Sequence, residues 1–191
     1  YVPPHPQPLL SPDANAGYAN LRAAFETCRK RIEASDADLI IVYSTTWPSV
    51  VGHQIQALKE SIWTHVDDDF HYLGSMPYNF QIDSEFSHEY CSAAEKRGLH
   101  ARTVEYEGFP IDTGSVVALS LLNPDNRIPA CIVSSNMYAN RSETIVLGKS
   151  ANDALVDRFL SKKIKFIEIH KKLIKFINLK QFKKYKSISP N

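Results

Sequence analysis

The sequence predicts an α/β fold with a mostly parallel central sheet covered by helices, and three stretches carry that prediction. Leu39-Ile40-Ile41-Val42-Tyr43 is a short unbroken apolar run placed directly after a segment with apolar residues at helical spacing, the order of an α/β unit. Residues 102–106 read as a strand, pass through a polar turn and continue into the apolar run 116–122. Residues 128–134 form a third strand-like run, followed by Ser142-Glu143-Thr144, which opens a further helical pattern. Open sheets built this way place their ligands at the carboxyl ends of the strands.

Taken in order, Tyr1-Val2-Pro3-Pro4-His5-Pro6-Gln7-Pro8 cannot form a central strand, because proline removes ladder donors. It reads as the end of an edge or first strand running into an extended loop that carries His5, either an exposed polar residue or a metal ligand. Ser11-Pro12-Asp13 offers helix-start chemistry, and Leu21, Phe25, Cys28 and Ile32 recur at helical spacing, which predicts a helix over 16–34. Asp36-Ala37-Asp38 breaks it, and the run 39–43 is a strand buried on both faces. Ser44-Thr45-Thr46-Trp47-Pro48 then lies at a carboxyl strand end, with His53 close enough to reach the same crevice. His65-Val66-Asp67-Asp68-Asp69-Phe70-His71 fits neither an EF-hand loop nor a two-histidine helix, so it reads as a solvated turn.

Residues 83–97 place Phe86, Tyr90, Ala93 and Ala94 on one helical face, with Gly98 as the stop. The turn after strand 102–106 is Phe109-Pro110-Ile111-Asp112-Thr113-Gly114-Ser115. Pro110 fixes φ, Gly114 permits left-handed or closely approached backbone, and Asp112 or Thr113 can cap the helix beginning near Ser115. Residues 116–122 are apolar nearly all round and form a buried helix ending at Asn123-Pro124-Asp125. Strand 128–134 ends at Ser134-Ser135-Asn136, and the last helix has Ile145, Val146, Leu155 and Phe159 for a face on the sheet. Three polar strand ends are expected to converge on one edge.

With 191 residues, 43% hydrophobic and 23% charged, the chain can bury one sizeable core. Cys28, Cys91 and Cys131 have neither disulfide-framework nor zinc spacing, and no run reaches the length of a membrane helix. A start without a basic and apolar leader pattern completes the reading of a soluble, cytoplasmic protein. The net charge of +1 conceals a division. Residues 161–191 hold ten lysines against Glu168 and carry +9, whereas residues 1–160 carry −8.

Val42-Tyr43-Ser44-Thr45-Thr46-Trp47, His65-Val66-Asp67-Asp68-Asp69 and above all Gly108-Phe109-Pro110-Ile111-Asp112-Thr113-Gly114 resemble the class III (LigB-type) extradiol ring-cleavage dioxygenases. Within that family the resemblance is to the alpha subunits of aminophenol dioxygenases, and it covers most of residues 2–160. It implies a fold in which two histidines and a glutamate hold Fe(II), leaving positions where an aromatic diolate or aminophenolate and dioxygen bind together. It further implies a third histidine, in an Asp-His-Gly turn, as acid and base.

Matched to that pattern, His5 stands at the first ligand position, Thr46 at the second, and Thr113 at the acid-base position beside Asp112. A threonine hydroxyl is a poor Fe(II) ligand and does not titrate near neutral pH. The glutamate ligand lies beyond the matching part. The resemblance therefore implies a non-catalytic subunit or degenerate homologue, binding no iron alone and pairing with an Fe(II)-bearing beta-type subunit or with itself. An aromatic ligand in the crevice stays compatible with it, and neither nucleic acid nor membrane is an expected partner. The alternative is an active Fe(II) dioxygenase with rearranged ligands, drawn from His5, His53 and Asp112. A third reading is a small-molecule binding module that uses the crevice without metal.

Residues 161–191 are rich in lysine, isoleucine and phenylalanine, unlike the body. They read either as a basic amphipathic helix or as a segment outside the fold. The second is preferred, because the composition changes where the resemblance stops. The expected organisation is an incomplete extradiol dioxygenase domain over 1–160, truncated at its C-terminus, followed by a foreign tail.

Overall fold

Asn15 starts the first long helix by accepting the Gly17 amide on its side chain at 2.7 Å, and the helix runs Ala16–Glu33 as its apolar spacing predicts. The computed structural model describes residues 5–161. Two compact units divide the chain, Tyr1–Ala151 and Asn152–Asn191, and both sheets and all helices but the end of the last belong to the first. Of the second, the described part is the end of the last helix and Ser161, whose hydroxyl donates to the Asp157 carbonyl at 2.7 Å.

The proline-rich start differs from the extended loop expected. Gln7–Leu10 forms a helical turn (α1), because a proline in the first turn loses no hydrogen bond and its fixed φ suits a helix. After Ala16–Glu33 (α2) comes β1, Ile40–Ser49, longer than the apolar run. It is followed by β2 (His53–Gln56), β3 (Glu60–His65), β4 (Met76–Gln81), α3 (Ser84–Lys96), β5 (Ala101–Val104), α4 (Thr113–Leu122), β6 (Ala130–Asn136) and α5 (Arg141–Leu160).

Four strands form the central sheet in the order β1-β6-β2-β5. The pairs β1–β6 and β2–β5 are parallel, with Tyr43 opposite Val133 and Ile55 opposite Thr103, while β2 meets β6 antiparallel at Ile55 and Val133. The sheet is thus mostly parallel, as expected. β1 is its outermost described strand, so Ile40, Ile41 and Val42 are only half-buried and Tyr43 is exposed, against the expectation of burial on both faces. Its register shifts between Tyr43 and Pro48, which is where an edge strand accommodates proline.

The hairpin β3–β4 forms a second, two-stranded sheet whose Met76, Tyr78 and Phe80 point inward by strict alternation. These side chains join Phe25, Ile111, Val116 and Ile132 in the main core between α2, α4 and the central sheet. On the other face of that sheet, α3 buries Phe86, Tyr90 and Ala94. Asp83 caps α3 through the Phe86 amide at 2.8 Å, and the Tyr90 hydroxyl reaches the Leu147 carbonyl at 3.0 Å, tying α5 to α3. Within the first unit, Leu147, Ser150 and Ala151 supply the buried face of α5, whereas Ile145, assigned to that face from sequence, is half-exposed.

Gly52 marks the tightest approach. Its φ is +69°, and a Cβ placed there would lie 2.2 Å from the His100 carbonyl oxygen. We expect Gly52→Ala to cost about 2 kcal/mol or more, since left-handed strain and a backbone clash add, and urea unfolding of the pair measures it.

Candidate functional site

The site is built where the carboxyl end of β1 meets the N-terminus of α4. Asp112 is extended, at ψ 157°, and its side chain accepts the Ser115 amide at 3.1 Å, the cap expected from sequence. The same carboxylate accepts the Ser115 hydroxyl at 2.7 Å and the Thr46 hydroxyl at 2.6 Å. Thr46 reaches it because the irregularity in β1 turns the strand: the Ser44 hydroxyl accepts the amides of Thr46 and Trp47, which sends Trp47 inward. The Trp47 indole then donates to the Pro110 carbonyl at 3.1 Å, and Tyr78 accepts the Ile111 amide at 3.2 Å. Gly114 lies inside α4; the left-handed glycine of this loop is Gly108, at φ +71° against the Trp63 ring.

Thr113, the first residue of α4, is buried and bridges to the end of β3. Its hydroxyl donates to Asp67 and lies 2.8 Å from Nε2 of His65. Because that proton is given to the carboxylate, the oxygen accepts from His65, which places a hydrogen on Nε2. Burial alone would raise the Asp67 carboxyl. The Thr113 hydroxyl, the Phe70 and Asp69 amides and the His65 charge outweigh it and hold the group below its ordinary value.

His5 borders this cluster through Phe70, its ring centroid 4.1 Å away. Both imidazole nitrogens are engaged: Nδ1 accepts the Gln7 amide at 3.1 Å and Nε2 pairs with the Tyr18 hydroxyl at 3.1 Å. His53 is elsewhere, buried at the start of β2 with its amide on the His100 carbonyl. The end of β6 lies beside that of β1, with Ser135 opposite Pro48 and Asn136 opposite Ser49, while its Ser134 hydroxyl turns to accept the Gln54 amide at 2.7 Å. The carboxyl ends of β1 and β6 therefore run side by side, and the loop after β5 reaches that of β1 through Asp112 and Thr46.

His65 and Asp67 were missed from sequence, where 65–72 read as a solvated turn. That reading holds for the exposed Asp68 and Asp69. The alternation of Met76-Pro77-Tyr78-Asn79-Phe80 was the usable signal, since it marks a hairpin whose partner strand delivers His65.

The donor set does not suit Fe(II). Thr46 and Thr113 offer hydroxyls already bonded to carboxylates, and among the described residues no group of three or more His, Cys, Asp or Glu side chains gathers as metal ligands would. What the arrangement does offer is a hydrogen-bonded floor of two carboxylates, three hydroxyls and an imidazole.

Residues 1–168 match the family described as the catalytic LigB subunit of aromatic ring-opening dioxygenase. Among curated proteins, the 2-aminophenol 1,6-dioxygenase alpha subunit of Pseudomonas sp. is 31% identical over 144 residues, covering 75% of this chain and 53% of the relative. The beta subunit of the same enzyme is 28% identical over 171 residues, covering 82% and 56%. The chain thus spans about half the length of these relatives. A different similarity, 42% identity over 83 residues, links 42% of this chain to 21% of the 1-deoxy-D-xylulose 5-phosphate reductoisomerase of Pelagibacter ubique.

Two outcomes follow for the network. Asp112→Ala removes a cap and leaves buried donors unpaired, so it should cost about 2–3 kcal/mol in denaturant unfolding, and Asp112→Asn less. Thr113→Val should raise the Asp67 titration midpoint, read by carboxyl NMR. Because the native Asp67 value is depressed, its contribution to stability is full above pH 3.8 and is lost as pH falls through the native midpoint. The stability gap between wild type and Thr113→Val should therefore narrow in acid.

Proposed function

Since the chain belongs to the LigB family of aromatic ring-opening dioxygenases, we propose that it is a non-catalytic subunit or degenerate homologue of a class III extradiol enzyme. Its role in this reading is to support an Fe(II)-bearing partner subunit acting on an aminophenol or catechol. The observation that carries the reading is the commitment of two hydroxyls, Thr46 to Asp112 and Thr113 to Asp67, at the positions where the family resemblance calls for imidazoles. A metal ligand must present a free lone pair of suitable softness, and an acid-base group must titrate near the working pH. Neither hydroxyl does.

His65 supplies an imidazole beside Thr113, but its Nε2 hydrogen points into the hydrogen-bonded line and not toward an open position. That geometry suits holding the β3 turn on α4. Similarity to both an alpha and a beta subunit supports pairing with a chain of like fold. Val50, Val51, Met137 and Tyr138, exposed on two loops joined by the Met137 amide and the Ser49 carbonyl, give such a partner apolar surface to cover. The rearranged set of His5, His53 and Asp112 has less support, because His5 and Asp112 are engaged by other groups.

Residues 161–191 fall outside the fold in this reading. The abrupt lysine enrichment supports that assignment. Amplifying the genomic locus across Leu160 tests it: an uninterrupted reading frame in independent isolates would count against a foreign tail.

For the main proposal, the purified chain should contain well under one equivalent of iron after anaerobic Fe(II) loading and show no turnover of 2-aminophenol or catechol. Co-expression with a catalytic homologue should yield a complex whose iron stays with the partner. Stoichiometric iron and ring cleavage by the isolated chain would overturn the proposal.

A further inference from the structure

β5 ends the central sheet: β2 lies on one side of it, and among the described residues no strand lies on the other. The His53 amide donates to the His100 carbonyl at 2.8 Å and the Ala57 amide to the Val104 carbonyl at 2.9 Å, so the even-numbered residues of this stretch bond to β2. Alternation in a parallel pair then turns the amides and carbonyls of Ala101 and Thr103 outward, off the sheet. An edge of this kind is a template for one more strand.

α3 makes that edge one wall of a groove. A cavity of about 340 Å³ runs between His88, Cys91, Ser92 and Glu95 of the helix and Ala101 and Thr103 of the strand. The Thr103 hydroxyl donates to Glu105 at 3.1 Å, and Nε2 of His88 lies 3.1 Å from the same carboxylate oxygen, which ties this face of β5 to the helix. Arg102 borders the groove too, but alternation along the strand sends its side chain to the opposite face. Burial, and after it the charge of Glu95, push the Cys91 thiol up to about 11, so the thiol stays neutral and the carboxylates set the charge of the groove. Glu105 is already met by two donors, and Glu95 is left exposed on the wall to meet an incoming cation.

We propose that this groove takes an extended segment of a partner protein as an added strand on β5, with a lysine or arginine of that segment directed at Glu95. Main-chain bonds to Ala101 and Thr103 supply the affinity, and the side chains that enter the groove supply the choice of sequence. The surface lies at the opposite end of the described sheet from β1, so it is separate from the apolar loops after β1 and β6 and does not depend on the pairing proposed above.

NMR titration of the full chain with a short capped peptide of alternating valine and lysine tests this. In the free chain the Thr103 amide should exchange rapidly; the peptide should slow it and shift the Ala101 and Thr103 resonances, with the amides of β1 unchanged. Replacing the lysines by glutamate should weaken binding by about tenfold or more, because like charges then meet. N-methylation of alternate peptide amides should abolish binding, because the added strand loses its donors. Glu95→Gln should weaken the lysine peptide by about two- to fivefold, the range of an exposed ion pair. A Thr103 amide already protected in the free chain overturns the proposal, since the chain itself or a second copy then fills the edge. No shift at Thr103 with millimolar lysine peptide, equal binding of the glutamate or N-methylated peptide, or an affinity unchanged by Glu95→Gln overturns it equally. The peptide comparisons use the wild-type chain, so they decide the matter even where Glu95→Gln does not fold.

Discussion

The carboxylate of Asp112 is the constraint on which the rest of this structure leans. It lies buried at the N-terminus of a helix that is itself buried on almost every side, and it accepts from the Ser115 amide, the Ser115 hydroxyl and the Thr46 hydroxyl. A carboxylate in that position is stabilised by the unpaired amides and positive end of the helix. The bond from Thr46 does something further: it joins the outer strand of the central sheet to the helix that fills the core. The Trp47 indole on Pro110 and the Tyr78 hydroxyl on Ile111 hold the approach to Asp112 from two more directions. The loop is thereby fixed at its ends and its middle before any ligand arrives.

Thr113 repeats the device one residue later. Its hydroxyl links Asp67 and His65, so the turn after β3 is carried on the first residue of α4. Two neighbouring threonine-to-carboxylate bonds thus convert a strand-end crevice into a cross-linked floor. An imidazole at position 46 would have to point a lone pair outward to hold a metal and one at 113 would have to titrate, and the carboxylates beneath would need other donors. The hydroxyls are therefore part of the local packing, each spanning two elements of the fold.

Much of this was readable from local signals. Helices α2 and α3 announce themselves through periodicity and α4 through its apolar run and the Asp112 cap, although α2 is capped by Asn15 and not by the Ser11-Pro12-Asp13 stretch, and the pairing of Thr46 with Asp112 is the strand-end convergence that an α/β order implies. What escaped was decided by long-range contacts. β2 is His-Gln-Ile-Gln, four residues that look like loop yet are wholly buried, because two strands and the helices above enclose them. β1 looks like a central strand, but its place at the end of the described sheet leaves it half-covered, and no sequence window contains that fact. His65 and Asp67 reach Thr113 across more than forty positions, so the carboxylate run resembled a solvated turn until the hairpin put it against α4.

The two sets of histidines then separate by environment. His5 has partners for both ring nitrogens, Gln7 and Tyr18, and His65 pairs its Nε2 with Thr113, which ties both to that end of the sheet. His53 has none, and sits buried at the start of β2. The described histidines therefore divide by what holds them: hydrogen bonds fix His5 and His65 beside the threonine-to-carboxylate pairs, and packing within the sheet holds the buried ring of His53.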